Sequence, residues 1–310
     1  MNWYSLALRI MVVLLLIPCQ VGFSQENNTR KKSKPSHSIK NEEEDEEDEN
    51  KFTRWEFGVN FGTYFADKYT ANYYNGSEQN VNKLSYVWSN YYWYREIALA
   101  LQSSDTVIIR GLPTDMHYTV ALTGGLFLRY NFVRNWGLFF EFNYAKLKTD
   151  DGLTVEVDPP TYLREPDLRI LGIHGSESRM NIDLGIHRKF GISTSIMNMF
   201  IQAAFNLNYT RVLTSSINVI DREYSLINIY GDQYYIPNTS LQEYNVIQGG
   251  VGYGLKVGGG LGFNFTRQIG LELGFSMYYV TLNLEGYRKF NPSFDVYVRL
   301  LLSNLISRQD

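Results

Sequence analysis

From Phe52 onward the chain alternates, residue by residue, between an apolar or aromatic face and a small or polar one. A period of two is the side-chain repeat of an extended strand, so this feature points to strands rather than helices. The opening stretch sets Trp55, Phe57, Val59, Phe61, Thr63 and Phe65 against Glu56, Gly58, Asn60, Gly62 and Tyr64. The pattern returns over 117–131, 136–147, 180–190, 199–209, 251–265, 269–279 and 294–302. That makes about eight strands, each long enough to cross a bilayer at the usual tilt, which takes roughly 9–11 residues. An even number is also what single-chain membrane barrels use.

The connections alternate in length. Long ones fall at 66–115, 150–178, 213–246 and 284–292, and short ones at 132–136, 191–197 and 266–268. Membrane barrels have long outer loops and short periplasmic turns. With the chain entering from the periplasm, the first, third, fifth and seventh connections lie outside, and these are the long ones. The fold predicted is all-β, an antiparallel transmembrane up-and-down β-barrel. A soluble sandwich gives no reason for the alternation.

Aromatic placement agrees. With strands laid alternately up and down, Trp55, Tyr130 and Trp136 fall at the periplasmic end with Phe190 and Phe265. Tyr144, Tyr209, Tyr253 and Tyr279 fall at the outer end with Tyr118. Two such girdles mark the two membrane interfaces. Mean hydropathy is −0.26, which conceals a barrel because its apolar residues alternate with polar ones.

The N-terminus gives an address. Arg9 precedes an apolar run, Ile10 to Ile17, too short for a spanning helix and of signal-peptide length. Gly22 and Ser24 allow cleavage before Gln25, so residues 1–24 are expected to be a signal peptide. Pro18 ahead of Cys19 disfavours the lipoprotein alternative. Cys19 is the only cysteine, so the cleaved chain has no disulfide and no thiolate metal site. Residues 25–51 run from a basic patch at Arg30, Lys31, Lys32 and Lys34 to an acidic run from Glu42 to Glu49. They are expected to be a disordered, charged periplasmic tail. The barrel is assigned to 52–310 and the protein to the outer membrane. Export, with a net charge of −3, speaks against a nucleic-acid partner.

The inward phase carries charges of both signs: Glu56, Arg129, Glu141, Asp183, Lys256, Glu272 and Arg299, with His187 and Asp295. A lumen of about eight strands is only wide enough to be filled by side chains. Buried charges must then pair. The expectation is a polar plug in which Arg129 is held by Glu56 and Glu141, and Arg299 shares Glu56. A gated passage is the alternative. Glycines 252, 254, 258, 260 and 262 would make room for long side chains from opposite strands. No catalytic residue, metal site or cofactor is expected: His117 and His174 have no serine at a diagnostic spacing, and no nucleophile elbow or metal-binding His pair occurs.

The tracts Trp55-Glu56-Phe57-Gly58-Val59-Asn60-Phe61-Gly62 and Ala71-Asn72-Tyr73-Tyr74-Asn75-Gly76, and the hairpin Leu128-Arg129-Tyr130-Asn131-Phe132 to Trp136-Gly137-Leu138, resemble the PorT-like outer-membrane β-barrel proteins of Gram-negative bacteria. The resemblance covers roughly 52–302 and implies a barrel. The family's best-known members are implicated in protein secretion across the outer membrane. Tyr69, Tyr73, Tyr74, Tyr86, Trp88, Tyr91 to Tyr94, Tyr224, Tyr230, Tyr234 and Tyr235 crowd the long loops. Residues 83–102 are expected to form a short helix or a hairpin over the rim, and the loops either recognise a partner or cap the barrel. Two classes of function stay open: a binding or assembly component of a secretion or envelope complex, meeting proteins through loops or tail, and a small-solute channel. A lipid-modifying barrel enzyme ranks third. Outer-membrane lipid is the one partner implied throughout.

Overall fold

The computed structural model describes residues 54–303, apart from 134, 160–164, 192–195, 232, 234 and 267. The signal peptide, the charged tail and Tyr234 lie outside the described residues. The alternating segments form strands β1 (Trp55–Phe65), β3 (Ala121–Val133), β4 (Trp136–Val157), β5 (Asp167–Phe190), β6 (Met197–Val219), β8 (Gly249–Asn264), β9 (Ile269–Thr281) and β10 (Phe290–Ser303). Each pairs antiparallel with its neighbour, and β1 also pairs with β10, so the eight close into a ring. Two short strands were not expected. β2 (Val107–Gly111) extends the upper end of β4, and β7 (Arg222–Ser225) that of β6.

The main difference from the sequence reading is strand length. β4, β5 and β6 run for 22, 24 and 23 residues. Most of the segment read as a loop at 150–178 is therefore strand, with β4 ending at Val157 and β5 starting at Asp167. On one side the wall rises well above β1, which has 11 residues.

Along β4 the two faces exchange character partway up. As far as Tyr144 the outward residues are apolar (Leu138, Phe140, Phe142), while Glu141 and Asn143 point inward and are buried. Beyond it Lys146, Lys148 and Asp150 face outward, and Ala145, Leu147, Leu153, Val155 and Val157 are buried inside. β6 does the same, passing from outward Phe205, Leu207 and Tyr209 to Arg211, and from inward Asn206 and Asn208 to Val212 and Val219. The register sets Tyr144 beside Met180 and Met180 beside Tyr209, so the change falls on one row across three strands.

Two interiors result. Above the row lies an apolar core, filled from within by the first long connection. That connection folds into α1 (Lys68–Ala71), a 3₁₀ turn (Asn72–Tyr74), α2 (Leu84–Ser89) and α3 (Tyr91–Ala100). Asn90 starts α3 by accepting the amide hydrogens of Tyr92 and Trp93. Tyr73, Tyr74, Leu84, Val87, Ile97 and Leu101 pack against Leu147, Val155, Ile173 and Ile217 of the wall. The edge of β2 is capped by side chains: the Tyr94 hydroxyl accepts from the Val107 amide at 2.9 Å, and the Trp88 indole donates to the Val107 carbonyl at 3.3 Å. Below the row the interior is mainly polar, with Phe200 stacked on His187 and a small cluster of Phe127, Phe139, Ala204 and Leu301.

Candidate functional site: the filled lumen and its plug

The lower interior is one continuous ion-pair and hydrogen-bond network. Arg129 on β3 binds Glu56 on β1 and donates to Glu272 on β9 at 3.0 Å and to His187 Nε2 on β5 at 2.8 Å. Lys189 holds the second oxygen of Glu56 at 2.9 Å. Arg299 on β10 donates to Glu272 at 2.8 Å, to Glu141 at 2.9 Å and to Asn60 at 2.8 Å. Lys256 on β8 sits 2.9 Å from Glu141 and 3.0 Å from Asp183. Asn60 and Asn143 donate to the remaining Glu141 oxygen at 2.9 and 2.6 Å, and Asn206 donates to Asp183 at 2.6 Å. The Tyr278 hydroxyl lies 3.4 Å from Asp183 and 3.2 Å from Asp295. The Arg299 guanidinium rests 3.5 Å from the centre of the Phe127 ring.

All seven inward residues singled out from the sequence, Glu56, Arg129, Glu141, Asp183, Lys256, Glu272 and Arg299, are buried here. Two expected pairings are corrected. Arg129 meets Glu272, not Glu141, as its second acid. Arg299 binds Glu141 and Glu272 and leaves Glu56 to Arg129 and Lys189. The cause is register. Glu56 lies opposite Arg129, whereas Glu141 lies opposite Phe127, two residues further up β3, and Arg299 lies opposite Asn60, four residues from Glu56. The Asn60, Asn143, Asn206 and Tyr278 contributions were missed. Their signal is in the sequence, as uncharged polar residues on the inward phase of their strands.

The glycine reading is also corrected. Inward Gly252, Gly254 and Gly260 each face a backbone carbonyl of β9 so closely that a Cβ would collide with it. These three permit close approach of the adjacent strand, whereas Gly258 and Gly262 do leave room for side chains, though from the neighbouring strands: Ser276 and Gln202 at Gly258, and Asn198 at Gly262.

A second buried ion pair joins plug to wall. Arg179 donates to Glu177 at 2.5 Å and to Thr70 of α1 at 3.1 Å, while the Tyr74 and Tyr118 hydroxyls donate to Glu177 at 2.6 and 3.0 Å. Burial first, and the Glu177 carboxylate next, push both phenols well above their ordinary range, so they remain proton donors. Tyr118 is thereby corrected as a girdle residue. The alternation breaks at Thr119 and Val120, both exposed, and the ring turns inward.

The other girdle residues face outward. Trp55 contacts Tyr130 with ring centres 4.7 Å apart, and Arg188 lies 4.9 Å over Trp136. Tyr253 and Tyr279 flank Phe290 at 5.9 and 5.4 Å. From Trp136 to Tyr144 is ~27 Å along the strand at ~3.4 Å per residue, or ~21 Å in height at a tilt of ~40°.

On the outer face above Tyr144, Asp150, His174 and Ser216 occupy one cross-strand row. His174 Nδ1 binds Asp150 at 2.6 Å, but its Nε2 is occupied by the Asn218 amide at 3.0 Å, and Ser216 donates to Glu223 at 2.6 Å. The histidine is not presented to the serine. Among the described residues no cluster of His, Cys, Asp and Glu could hold a metal ion.

No family model and no curated protein matches the chain. The resemblance to PorT-like proteins therefore rests on the sequence patterns alone. Solved structures do resemble it. Neisserial surface protein A is 10% identical with a TM-score of 0.37, over 80% of this chain and 96% of its own. The outer membrane protein OprG of Pseudomonas aeruginosa is 11% identical with a TM-score of 0.34, over 81% of this chain and 94% of its own. The N-terminal β-barrel domain of OprF from the same organism is 9% identical with a TM-score of 0.33, over 81% and 98%.

Proposed function

We propose that this chain spans the bacterial outer membrane as a closed barrel and works as a binding or assembly component through its upper superstructure. The observation that carries the reading is the exchange of faces at the Tyr144–Met180–Tyr209 row. Below it the outside is apolar while charges are buried, the reverse of a water-soluble protein. Above it the usual order returns. Only a lipid surround makes the lower arrangement favourable, and the band is close to the ~25 Å apolar height of outer-membrane barrels.

A solute channel requires a continuous wet path. Arg299, Glu141, Lys256 and Asp183 meet across the lumen at 2.9–3.0 Å, and the apolar plug sits above them. The binding role falls instead to the surface built by α2, α3, β2 and β7, with no reaction assigned to it. Its partners on this reading are membrane lipid and envelope proteins. Membrane fractionation and planar-bilayer recording test this together. The expected result is recovery with outer membranes and no steady conductance from the wild type. A large stable conductance would refute the closed lumen, and recovery in the soluble periplasmic fraction would refute the membrane assignment.

A further inference from the structure

We infer that the outer face of β5, between β4 and β6, is a binding site for one membrane lipid carrying an anionic phosphate. The inference rests on the membrane-spanning reading above. Directly over the Tyr144–Met180–Tyr209 row, the register sets Lys146 beside Ser178 and Ser178 beside Arg211. All three lie on the outward phase. Lys146 and Arg211 are exposed, and neither pairs with a carboxylate among the described residues. The nearest acid higher on that face of β4, Asp150, is engaged by His174 at 2.6 Å. Ser178 is only 6% exposed, a short hydroxyl side chain between two long cationic ones.

This is a donor set shaped for phosphate. The guanidinium offers a planar fork, the ammonium a compact charge, and the serine a hydroxyl at the base. An exposed lysine and arginine on a soluble surface would simply be solvated. Here their height decides the matter, because they stand one residue pair above the edge of the apolar band, where headgroup phosphates lie. The surface beneath fits the rest of the molecule. Met180 is half-buried between Tyr144 and Tyr209, and the strip continues down β5 through Ile182 and Leu184, flanked by side chains of β4 and β6. An acyl chain would follow that strip from the phosphate towards mid-membrane.

The test is native mass spectrometry of the full-length protein released from nanodiscs of equal phosphatidylglycerol and phosphatidylcholine. The wild type is expected to retain one phosphatidylglycerol in preference to phosphatidylcholine. Lys146→Gln and Arg211→Gln should each lower that retention about fivefold, while Arg188→Gln at the opposite rim leaves it unchanged. Equal retention of both lipids by the wild type overturns the site, and this arm needs no variant to fold. Retention unaffected by Lys146→Gln and Arg211→Gln, or lowered equally by Arg188→Gln, also overturns it. Wild-type protein that inserts into bilayers without selectivity sinks the lipid site alone. Protein that never inserts sinks the membrane reading and the site with it.

Discussion

Lys256 on β8 and Glu141 on β4 are separated in the ring by two whole strands, yet their charged atoms meet at 2.9 Å. The same ammonium lies 3.0 Å from Asp183. Replacing it with methionine keeps most of the volume and strands two buried carboxylates. The expected cost is about 3–5 kcal/mol, read as a lower urea midpoint for the reconstituted barrel. Conductance should stay closed, because the methionine still fills the space. An unchanged midpoint would mean that water, not protein, solvates the lumen.

Glu177 has a different role, joining the plug to the wall. It accepts from Arg179, Tyr74 and Tyr118, all of them buried. Glu177→Ala leaves the Arg179 charge uncompensated, at about 3–5 kcal/mol for a buried pair. The damage should be local, since the ladder pairings of β1, β3, β9 and β10 do not involve it. Limited proteolysis should cut the variant within 66–106 while the barrel stays resistant. Loss of the whole barrel would contradict the division into two interiors.

Asp158, at the top of β4, is a small pH-sensitive clasp. It accepts from the Ser103 hydroxyl at 2.6 Å and from the amides of Ser104, Asp105 and Thr106 at 2.8, 2.8 and 3.1 Å. The Ser103 hydrogen bond first, then the Ser104 amide, hold its carboxyl well below the ordinary value of 3.8. A depressed folded-state value means the clasp contributes fully above about 3.8 and is lost as pH falls through the folded value. Hydrogen exchange at those three amides should be slow above the carboxylate range and quicken as the pH is taken below it. In Asp158→Asn they should be fast in both conditions. Protection that persists in the variant would show that the turn holds itself.

The barrel was legible because its wall repeats one rule, apolar out and small or polar in, over eight segments. The upper wall was not, and β4 shows why. After Tyr144 the sequence keeps alternating, but Lys146 and Lys148 take the outward phase while Ala145 and Leu147 take the inward one. A phase exchange reads in sequence as the end of an amphipathic strand, so residues 150–157 of β4 read as loop. The lumen was legible as a set of residues and less so as a set of bonds. Which acid faces Arg129 depends on register between strands, and alternation within each strand fixes only the face. The plug was hardest. Tyr73, Tyr74, Leu84 and Ile97 carry no period-two signal, and their burial depends on a wall tall enough to enclose them.

The membrane reading makes one demand that no soluble fold would make. Leu184 and Ile170 lie on the same strand, β5, and both are exposed, at 63% and 78%. In water, Arg at either position would be nearly neutral, as surface substitutions usually are. The register puts Leu184 between Phe140 and Phe205, midway between the Trp136–Arg188 row and the Tyr144–Met180 row. Ile170 lies ten residues beyond Met180, past the exchange of faces. If lipid surrounds the lower barrel, Leu184→Arg places a guanidinium near the bilayer midplane and should cost about 2–4 kcal/mol. Ile170→Arg should cost close to nothing. The comparison requires reversible unfolding in liposomes for both variants and the wild type. It is internally controlled, since the strand and the residue introduced are the same, both sites are exposed, and the sites differ chiefly in height. Equal effects at the two positions would remove the ground for placing this barrel in a membrane.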